Sequence, residues 1–370
     1  MFDSFEVHRF RGFSHFEIAG LDRVNLIAGA NNVGKTALLE ALFLHSGAPN
    51  LEIAMRLNGF RGFGSFKIEL APSAETPWAN LFHRFDLAQD IRLISHEPKA
   101  PRVEFRLNAA NAAEDLAQAG VPFPTLVIEP KSTSGPSDVG VGPLSIEAAS
   151  FVLEGRLLVD GDRGRPHFLI LDARGSGVFP APPSPTRLAY FLPSYFRIPT
   201  DQDSERFSRL SVVGKQDTLL ASLRILEPRL KSLSIAFASG TPAIHGDVGA
   251  GRLLPLAVMG EGLVRLTSLV LGIATSQHGI VLVDEVENGV HYSVMKQVWQ
   301  ALAQAAREFD VQLFATTHSL ECIRSAHDSF AEGKYDLRVH RLQRNGEGVQ
   351  AVTYDQEGLE GALTADFEVR

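Results

Sequence analysis

Hydrophobic and polar residues alternate at the start of the chain in the manner of β-strands. The runs "FEVHRF" and "HFEIAGL" both alternate, and "RGFS" lies between them, so the pattern predicts a β-hairpin. The run "RVNLIA" (residues 23–28) is mostly apolar, which predicts a buried strand. Residues 37–45 carry apolar side chains at helical spacing before Ser46 and Gly47, so a helix is predicted there.

The pattern changes between about residue 50 and residue 199. Short β-like runs are separated there by Gly, Pro, Ser and Asp, which predicts a β-rich lobe with loop insertions. The stretch "PKSTSGPSDVGVGP" (residues 130–143) predicts a surface loop. The β-like runs are "RVEFRL", "TLVIEP", "LSIEAASFVLEGRLLVDG", "HFLILDA" and "RLAYFL".

Helical spacing returns at residues 203–232, and from Leu254 the order is helix, strand, helix, strand, helix. This alternation is typical of a parallel sheet covered by helices on both faces. The predicted fold class is therefore α/β, with a mostly parallel sheet, an N-terminal antiparallel part and an inserted β-rich and helical lobe. The predicted divisions are residues 1–50 (first part of the core), 51–200 (β-rich lobe), 201–345 (helical segment and second part of the core) and 346–370 (C-terminal tail).

Composition excludes several classes of protein. Charged residues make up 21% of the 370 positions and the formal net charge is -8, so the chain is not a generally basic nucleic-acid coat. Cys322 is the single cysteine, which excludes a disulfide framework and a cysteine-rich zinc site and favours a reducing, cytoplasmic compartment. The N-terminus lacks the apolar segment of a signal peptide. The window "LVRLTSLVLGIA" is too short for a membrane span and contains Arg265, so it predicts a buried helix and no membrane association.

A glycine-rich loop between the first buried strand and the following helix matches G-x-x-x-x-G-K-[ST]. Such glycines let the backbone curl so that successive N–H groups face the phosphates of a nucleotide. Lys35 is placed to reach the β and γ oxygens, and Thr36 to bind Mg²⁺ through its hydroxyl. An ordinary glycine-rich turn is the alternative interpretation. The predicted nucleotide-binding residues are Gly29, Ala30, Asn31, Asn32, Val33, Gly34, Lys35, Thr36 and Ala37.

A phosphate loop predicts an acidic Mg²⁺ partner at the end of another buried strand. The apolar run at residues 280–283 is followed by Asp284, a predicted Mg²⁺ ligand, and Glu285, a predicted general base for the attacking water. The next apolar run, "VQLFATTHS", places His318 at its carboxyl end, where ligands bind in open α/β sheets. His318 is therefore a candidate sensor of the γ-phosphate, with a structural or surface histidine as the alternative.

The stretch "MGEGLVRL" places Gly260 and Gly262 at the start of an apolar helix, just ahead of the acidic strand. The N–H groups of such a helix end can bind an anion. The same glycines can also serve only as a helix cap. These residues alone do not decide between the two interpretations.

In this order, the phosphate loop, "MGEG", "VLVDEVENGVH" and "FATTHS" resemble the ABC-type ATPases of the RecF/SMC/OLD group. More closely, they resemble stand-alone AAA-family ATPases related to the ATPase half of OLD proteins. The similarity covers the N-terminal fifth and residues 204–327, and it reaches "PWANLFHRFD" more weakly. The resemblance implies a P-loop fold of ABC-ATPase type, with ATP and Mg²⁺ bound. It also implies a head-to-tail homodimer with two ATP molecules at the interface.

The resemblance carries roles onto individual residues of the chain. Lys35, Glu285 and His318 match the catalytic positions of the family, and Thr36 and Asp284 match its Mg²⁺ positions. These five residues are expected to act in the site of one protomer.

Other matched residues are expected to act across the dimer. Gly260 and Gly262 match the signature loop that completes the partner's site, and residues 287–291 match the loop that crosses the interface. Glu261 departs from the usual serine-led signature and puts a negative charge where the γ-phosphate approaches. This departure implies slow hydrolysis or a different loop pose.

Two further family positions stay open. The glutamine that commonly joins Mg²⁺ is unassigned, and Gln89 is a poor match for it. Arg11 corresponds by analogy to residues near the adenine or ribose. A hairpin-turn arginine in water is an equally good interpretation of Arg11.

The resemblance also suggests an effector outside this chain. No Toprim nuclease pattern and no long coiled coil occur in the sequence. This implies a motor or sensor that controls a separate nuclease or toxin, as in an anti-phage module. A self-sufficient nuclease with a metal at Asp160 and Asp162 is the alternative, although a hairpin turn explains "VDGDRG" better. No N/T-K-x-D guanine motif occurs, which disfavours a GTPase.

DNA binding stays open at this level. Six basic residues either line one face of a dimer or are scattered solvated charges. They are Arg9, Arg11, Arg23, Arg224, Arg229 and Lys231.

Overall fold

The computed structural model describes residues 1–61, 76–109, 151–172, 175–194, 199–238, 240–365 and 367–370. The loop predicted at residues 130–143 and the run "TLVIEP" lie outside these ranges. The α-helices are α1 Lys35–Ser46, α2 Glu52–Phe60, α3 Thr200–Val212, α4 Gln216–Leu223, α5 Glu261–Thr275, α6 Met295–Glu308, α7 Leu320–Ala331 and α8 Gln356–Thr364. Short 3-10 helices lie at Ala79–Leu81, His83–Phe85, Leu256–Val258 and Tyr292–Val294.

The strands are numbered in the same way along the chain. They are β1 Ser4–Phe10, β2 Phe13–Ala19, β3 Val24–Gly29, β4 Ile91–His96, β5 Val103–Asn108, β6 Phe151–Val159, β7 Asp162–Arg163, β8 His167–Asp172, β9 Gly175–Phe179, β10 Ala189–Leu192, β11 Ser232–Ala238, β12 Thr241–Asp247, β13 Leu254–Pro255, β14 Ile280–Val283, β15 Gln312–Thr316, β16 Leu337–Asn345 and β17 Gly348–Tyr354. In the described ranges these strands form three sheets.

The first sheet is antiparallel and contains the predicted N-terminal hairpin. Its strand order is β2-β1-β4-β5-β6-β8-β9, and β7 pairs with β6. The hairpin prediction is confirmed, because β1 and β2 pair antiparallel with Phe10 opposite Phe13. The turn prediction for "VDGDRG" is also confirmed: Asp160 and Gly161, with φ of +51° and +85°, join paired Val159 and Asp162.

The second sheet is the mostly parallel sheet expected from the alternation of helices and strands. Its order is β10-β14-β15-β3-β16-β17, and only the β16–β17 pair of this order is antiparallel. Every residue of β3, β14 and β15 is buried, as expected for parallel strands covered on both faces. The predicted α/β fold class is therefore confirmed. Parallel pairing also brings the carboxyl ends of β14, β15 and β3 to one edge of the sheet.

Helix α1 packs between the antiparallel and parallel sheets. It contacts β1 and β4 on one side and β3, β10, β14 and β15 on the other. All its residues from Ala37 to Ser46 are buried, which is typical of a helix enclosed on every side. The loop that precedes α1 is consequently held by both sheets.

Each strand of the parallel sheet contributes side chains to two cores. Ile280 and Leu282 of β14 pack in the core that contains α1, whereas Val281 and Val283 pack in the core that contains α5, α6 and α7. Because side chains alternate along a strand, this division places the sheet between α1 and the other helices.

The helical segment ahead of α5 carries a third, three-stranded sheet of order β11-β12-β13. Helix α4 and most of α3 lie within residues 203–232, where helical structure was predicted, but strands β11 and β12 were not predicted. The buried-helix prediction for "LVRLTSLVLGIA" is confirmed by α5. No helix in the described ranges combines the length and apolar character that a bilayer crossing requires.

The predicted divisions at residues 50, 200 and 345 stay predictions. Strands β1 and β2 pair with β4 in the antiparallel sheet, although they belong to the first predicted division. Strand β10 falls within 51–200 and pairs with β14 in the parallel sheet.

Candidate functional site

The glycine-rich loop lies where β3 passes into α1. Within it, Lys35 Nζ donates to the carbonyl oxygens of Gly29 at 2.6 Å and Ala30 at 3.1 Å. Burial lowers the pKa of the Lys35 amine, and the carboxylates of Asp284 and Glu285 act in the opposite direction. The lysine head group is therefore held against its own loop, close to the acidic pair.

Two positions of this loop require glycine. Gly29 has φ +143°, and a Cβ there would lie 2.5 Å from the carbonyl oxygen of Leu342. Gly34 has φ +113°, and a Cβ there would lie 2.6 Å from Cζ of Phe13. Residues with a side chain rarely adopt such φ values, so the tight curl of the loop depends on both glycines.

Thr36 and Asp284 meet beside the loop, although 248 positions separate them in the chain. The Thr36 hydroxyl lies 3.1 Å from both carboxylate oxygens of Asp284. Thr316, at the end of β15, donates from Oγ1 to Asp284 Oδ1 at 2.6 Å. Asp284 is only 4% exposed, so these hydroxyls fix the direction of a buried carboxylate.

Glu285 follows Asp284 in a left-handed backbone conformation with φ +51°. Such a conformation costs about 1–3 kcal/mol for a residue other than glycine and persists only where neighbours hold it. The Glu285 N–H donates to Thr316 Oγ1 at 2.8 Å, and Asn288 Nδ2 donates to Glu285 Oε2 at 2.7 Å. The backbone and carboxylate of Glu285 are thus both fixed at the edge of the sheet.

Arg265 of α5 supports the acidic turn from behind. Its guanidinium donates to the carbonyl oxygen of Asp284 and, at 3.0 Å, to that of Glu285. Burial lowers the pKa of Arg265, and the carboxylates of Asp284 and Glu285 counteract this shift. Sequence reasoning used Arg265 only to exclude a membrane span. An arginine within an apolar helix was the signal that could have identified this supporting role.

The loop and the acidic pair line one wall of a cavity of about 1170 Å³. This volume is slightly above the range of about 300–1,000 Å³ that is usual for small-molecule and cofactor sites. The second wall comes from the segment that follows α2, including Asn80, Phe82 and Phe85. Among the predicted site residues, the lining contains Arg11, Asn31, Asn32, Gly34, Lys35, Thr36, Ala37, Asp284 and Glu285.

Arg11 lies in the hairpin turn, as one of its two interpretations required, but its side chain is not in water. The side chain is 10% exposed, and its Nε lies 2.6 Å from Oε2 of Glu40. Glu40, on α1, also accepts two hydrogen bonds from Arg61 at 2.7 and 2.9 Å. Sequence reasoning missed Glu40 and Arg61, although a carboxylate within the apolar run of α1 was a signal. The proximity of Arg11 to a base or ribose stays a prediction.

His318 lies two residues beyond the end of β15, the strand next to β14, and outside the cavity lining. Its backbone N–H donates to Glu287 Oε1 at 3.1 Å, and its Nδ1 lies 3.3 Å from the same oxygen. The Thr317 hydroxyl also donates to this oxygen, at 2.7 Å. Glu287 therefore ties the turn after β14 to the end of β15.

Gly260 and Gly262 also lie outside the cavity lining. Gly260 caps α5 with φ +138°, and a Cβ on Gly262 would lie 2.2 Å from the carbonyl oxygen of Gly289. The start of α5 therefore packs on the loop that follows the acidic pair. Gln89 is exposed, donates to Asp86 and does not line the cavity.

Asp160 and Asp162 lie apart from this site. The Asp160 carboxylate accepts a hydrogen bond from the backbone N–H of Arg102 at 2.8 Å. In the part of the chain that the structure describes, neither aspartate belongs to a group of three or more potential metal ligands. The geometry therefore gives no support to a nuclease centre in this turn.

Comparison with known proteins supports an ATPase. Residues 169–324 match the domain family described as "AAA domain, putative AbiEii toxin, Type IV TA system", a range that includes the acidic strand and His318. A protein of Helicobacter pylori named "ATP/GTP phosphatase" is 22% identical over 97% of both chains. An uncharacterized protein of Methanocaldococcus jannaschii is 31% identical over 25% of this chain and 80% of its own length.

Solved structures with a similar course of the chain are heads of SMC proteins. One is an SMC head bound to the C-terminal winged-helix domain of ScpA, at 12% identity, a TM-score of 0.48 and coverage of 98% of this chain and 99% of that one. Another is the SMC head domain from Thermotoga maritima, at 12% identity, a TM-score of 0.40 and coverage of 96% and 99%.

Three observations support an ATPase. They are the phosphate loop, the acidic strand that meets it, and the domain match. The match covers β10, β14 and β15 of the parallel sheet. The structure places the loop between β3 and α1, which lies outside the match, beside these strands. Residues 169–324 are thus similar to an AAA-type ATPase domain, and the structure places the phosphate loop of β3 and α1 beside that domain's acidic strand.

Proposed function

We propose that the protein binds ATP with Mg²⁺ in the 1170 Å³ cavity, hydrolyses it slowly, and uses ATP-dependent pairing of two copies to control a separate effector. The contact between Thr36 and Asp284 is the observation that carries this proposal. Adjacent ligands of an octahedral Mg²⁺ with bonds of 2.0–2.1 Å are about 2.9 Å apart. The observed oxygen separations of 3.1 Å fit that requirement.

Nucleotide binding would use the backbone of the loop and the charge of Lys35. The N–H groups at the start of α1 offer hydrogen bonds and positive potential to the phosphates. Lys35 adds a cation next to the loop, and its ammonium form is favoured by Asp284 and Glu285. Thr36 and Asp284 would hold Mg²⁺, which neutralises charge on the β and γ phosphates when bound.

Hydrolysis would use Glu285 as the general base. Its carboxylate would take a proton from the water that attacks the γ-phosphorus, while the bond to the β-phosphate oxygen breaks and ADP leaves. Asn288 orients this carboxylate through its hydrogen bond of 2.7 Å. His318 would bind the γ-phosphate from the neighbouring strand.

Control of an effector would follow from pairing of two copies. Gly260 and Gly262 lie away from the cavity of their own chain, so the start of α5 remains available to the cavity of a second copy. ATP can shift the pairing equilibrium only through a higher affinity for the paired state. The description of the matched domain names a putative toxin and a type IV TA system, which supports a toxin–antitoxin setting for this control.

The test is a variant that binds ATP without hydrolysing it. Glu285→Gln keeps the size of the side chain, so Mg-ATP should accumulate a dimer detectable by size-exclusion chromatography with light scattering. Lys35→Ala should stay monomeric because it loses the phosphate contact. Asp310→Asn, at an exposed acid away from the cavity, serves as the matched control and should behave as the unmodified protein. A Glu285→Gln protein that binds labelled ATP but remains monomeric would refute the pairing mechanism.

A further inference from the structure

A second cluster of chemically active side chains lies on the antiparallel sheet. Glu6, His8 and His15 place one potential metal-ligating atom each within 4.8 Å of one another. Within the described ranges, no other group of three or more potential metal ligands comes this close together. None of the three lines the nucleotide cavity.

The register of the hairpin creates this cluster. His8 of β1 lies directly opposite His15 of β2, and their rings stack with centroids 4.5 Å apart. Glu6 precedes His8 by two positions and therefore lies on the same face of the strand. Phe5 and Val7, which alternate with Glu6 and His8 along β1, are fully buried, so the cluster lies on the opposite, outer face of the strand.

The spacing of the polar atoms suits a metal ion better than a hydrogen bond. Glu6 Oε2 and His8 Nε2 are 3.4 Å apart, which is long for a hydrogen bond. Two nitrogen or oxygen ligands at 2.0–2.2 Å from a tetrahedral Zn²⁺ are about 3.3–3.6 Å apart. His96 Nε2 lies 3.2 Å from the other oxygen of Glu6, an outer contact of the kind that orients a ligating carboxylate.

We propose that Glu6, His8 and His15 bind one Zn²⁺ ion, with water as the fourth ligand. Two imidazoles and a carboxylate suit Zn²⁺, whereas Mg²⁺ and Ca²⁺ prefer oxygen ligands. The ion would hold strands β1 and β2 of the hairpin together. This role is separate from the proposed ATPase function.

The test is Zn²⁺ binding by the full chain after removal of metals with a chelator. Excess Mg²⁺ is kept in the buffer to occupy the nucleotide site, and Zn²⁺ is titrated by calorimetry. We expect one Zn²⁺ per chain. Loss of outer-contact residues typically weakens metal binding 10–100-fold, so loss of a ligand in His15→Ala should weaken it at least tenfold.

Controls separate this site from other histidines and from the nucleotide site. His278 is also an exposed histidine beside a carboxylate, that of Asp310, so His278→Ala should bind Zn²⁺ as the unmodified protein does. Because His15 is exposed and outside the cavity, His15→Ala should keep its circular dichroism spectrum and its ATPase rate. Absence of stoichiometric Zn²⁺ binding, or equal affinity of His15→Ala and the unmodified protein, overturns the proposal.

Discussion

Replacement of Arg265 by Met tests whether the acidic turn depends on support from α5. The substitution keeps an unbranched apolar stem but removes the guanidinium that donates to the carbonyls of Asp284 and Glu285. Hydrogen bonds from a charged donor contribute about 1.5–3 kcal/mol each. Because Arg265 is only partly buried, we take the lower value for each of the two bonds. The expected loss in the free energy of unfolding is about 3 kcal/mol.

The catalytic effect of Arg265→Met should exceed its effect on nucleotide binding. Glu285 has φ +51°, and without Arg265 its backbone keeps only the hydrogen bonds to the Thr316 hydroxyl and from the Asn288 N–H among those described. We expect kcat to fall at least tenfold, because misplacement of a catalytic group by about 1 Å can cost 100-fold. Affinity for labelled ATP should change less than threefold, since the loop and Lys35 are untouched.

Urea unfolding and phosphate release, measured on the same preparations, check both expectations for Arg265→Met. Arg229→Met is the matched control, because Arg229 is an exposed arginine that pairs with Glu227 in a surface turn. Its unfolding midpoint and ATPase rate should equal those of the unmodified protein. An Arg265→Met protein with unchanged kcat would refute the idea that α5 positions the general base.

Two further predictions concern the loop and its surroundings. Gly34→Ala should weaken ATP binding at least tenfold and destabilise the fold by about 1–3 kcal/mol, because of backbone strain and the clash with Phe13. Fluorescent-ATP titration measures the binding, and urea unfolding measures the stability. Gly361→Ala is the control, because the added Cβ would meet no atom of another element within 4 Å. Burial lowers the pKa of His45 to about 4 in the folded state. The unfolded chain therefore binds more protons between pH 6.5 and 4, and stability should fall as the pH falls through this window. His45→Gln should reduce that loss in urea midpoints measured at pH 7 and pH 4.5, and an unchanged loss would contradict it.

Periodicity predicted the strands and helices whose surroundings stay the same along their whole length. The alternation around Phe5 and Val7 gave the hairpin, and the apolar runs ending at Asp284 and before His318 gave two adjacent parallel strands. Those elements bury side chains in a regular pattern, so the pattern is visible in the sequence. Strands β11 and β12 were not predicted, although Leu233, Ile235 and Phe237 alternate with smaller residues along β11.

Contacts between distant parts of the chain escaped prediction for a different reason. The bonds of Arg265 to the acidic turn and of Glu40 to Arg11 and Arg61 join residues on separate elements. Nothing in local spacing specifies which elements pack together. Only the folded arrangement shows that an arginine in an apolar helix supports the turn of Asp284 and Glu285.

The position of β3 within its sheet has a consequence for biosynthesis. This strand leaves the ribosome before both of its neighbours, β15 and β16, which follow more than 280 residues later in the chain. During translation the backbone N–H and C=O groups of β3 therefore lack their final hydrogen-bond partners until β15 and β16 have been synthesised. The phosphate loop can acquire its finished shape only after Leu342, whose carbonyl touches Gly29, has left the exit tunnel.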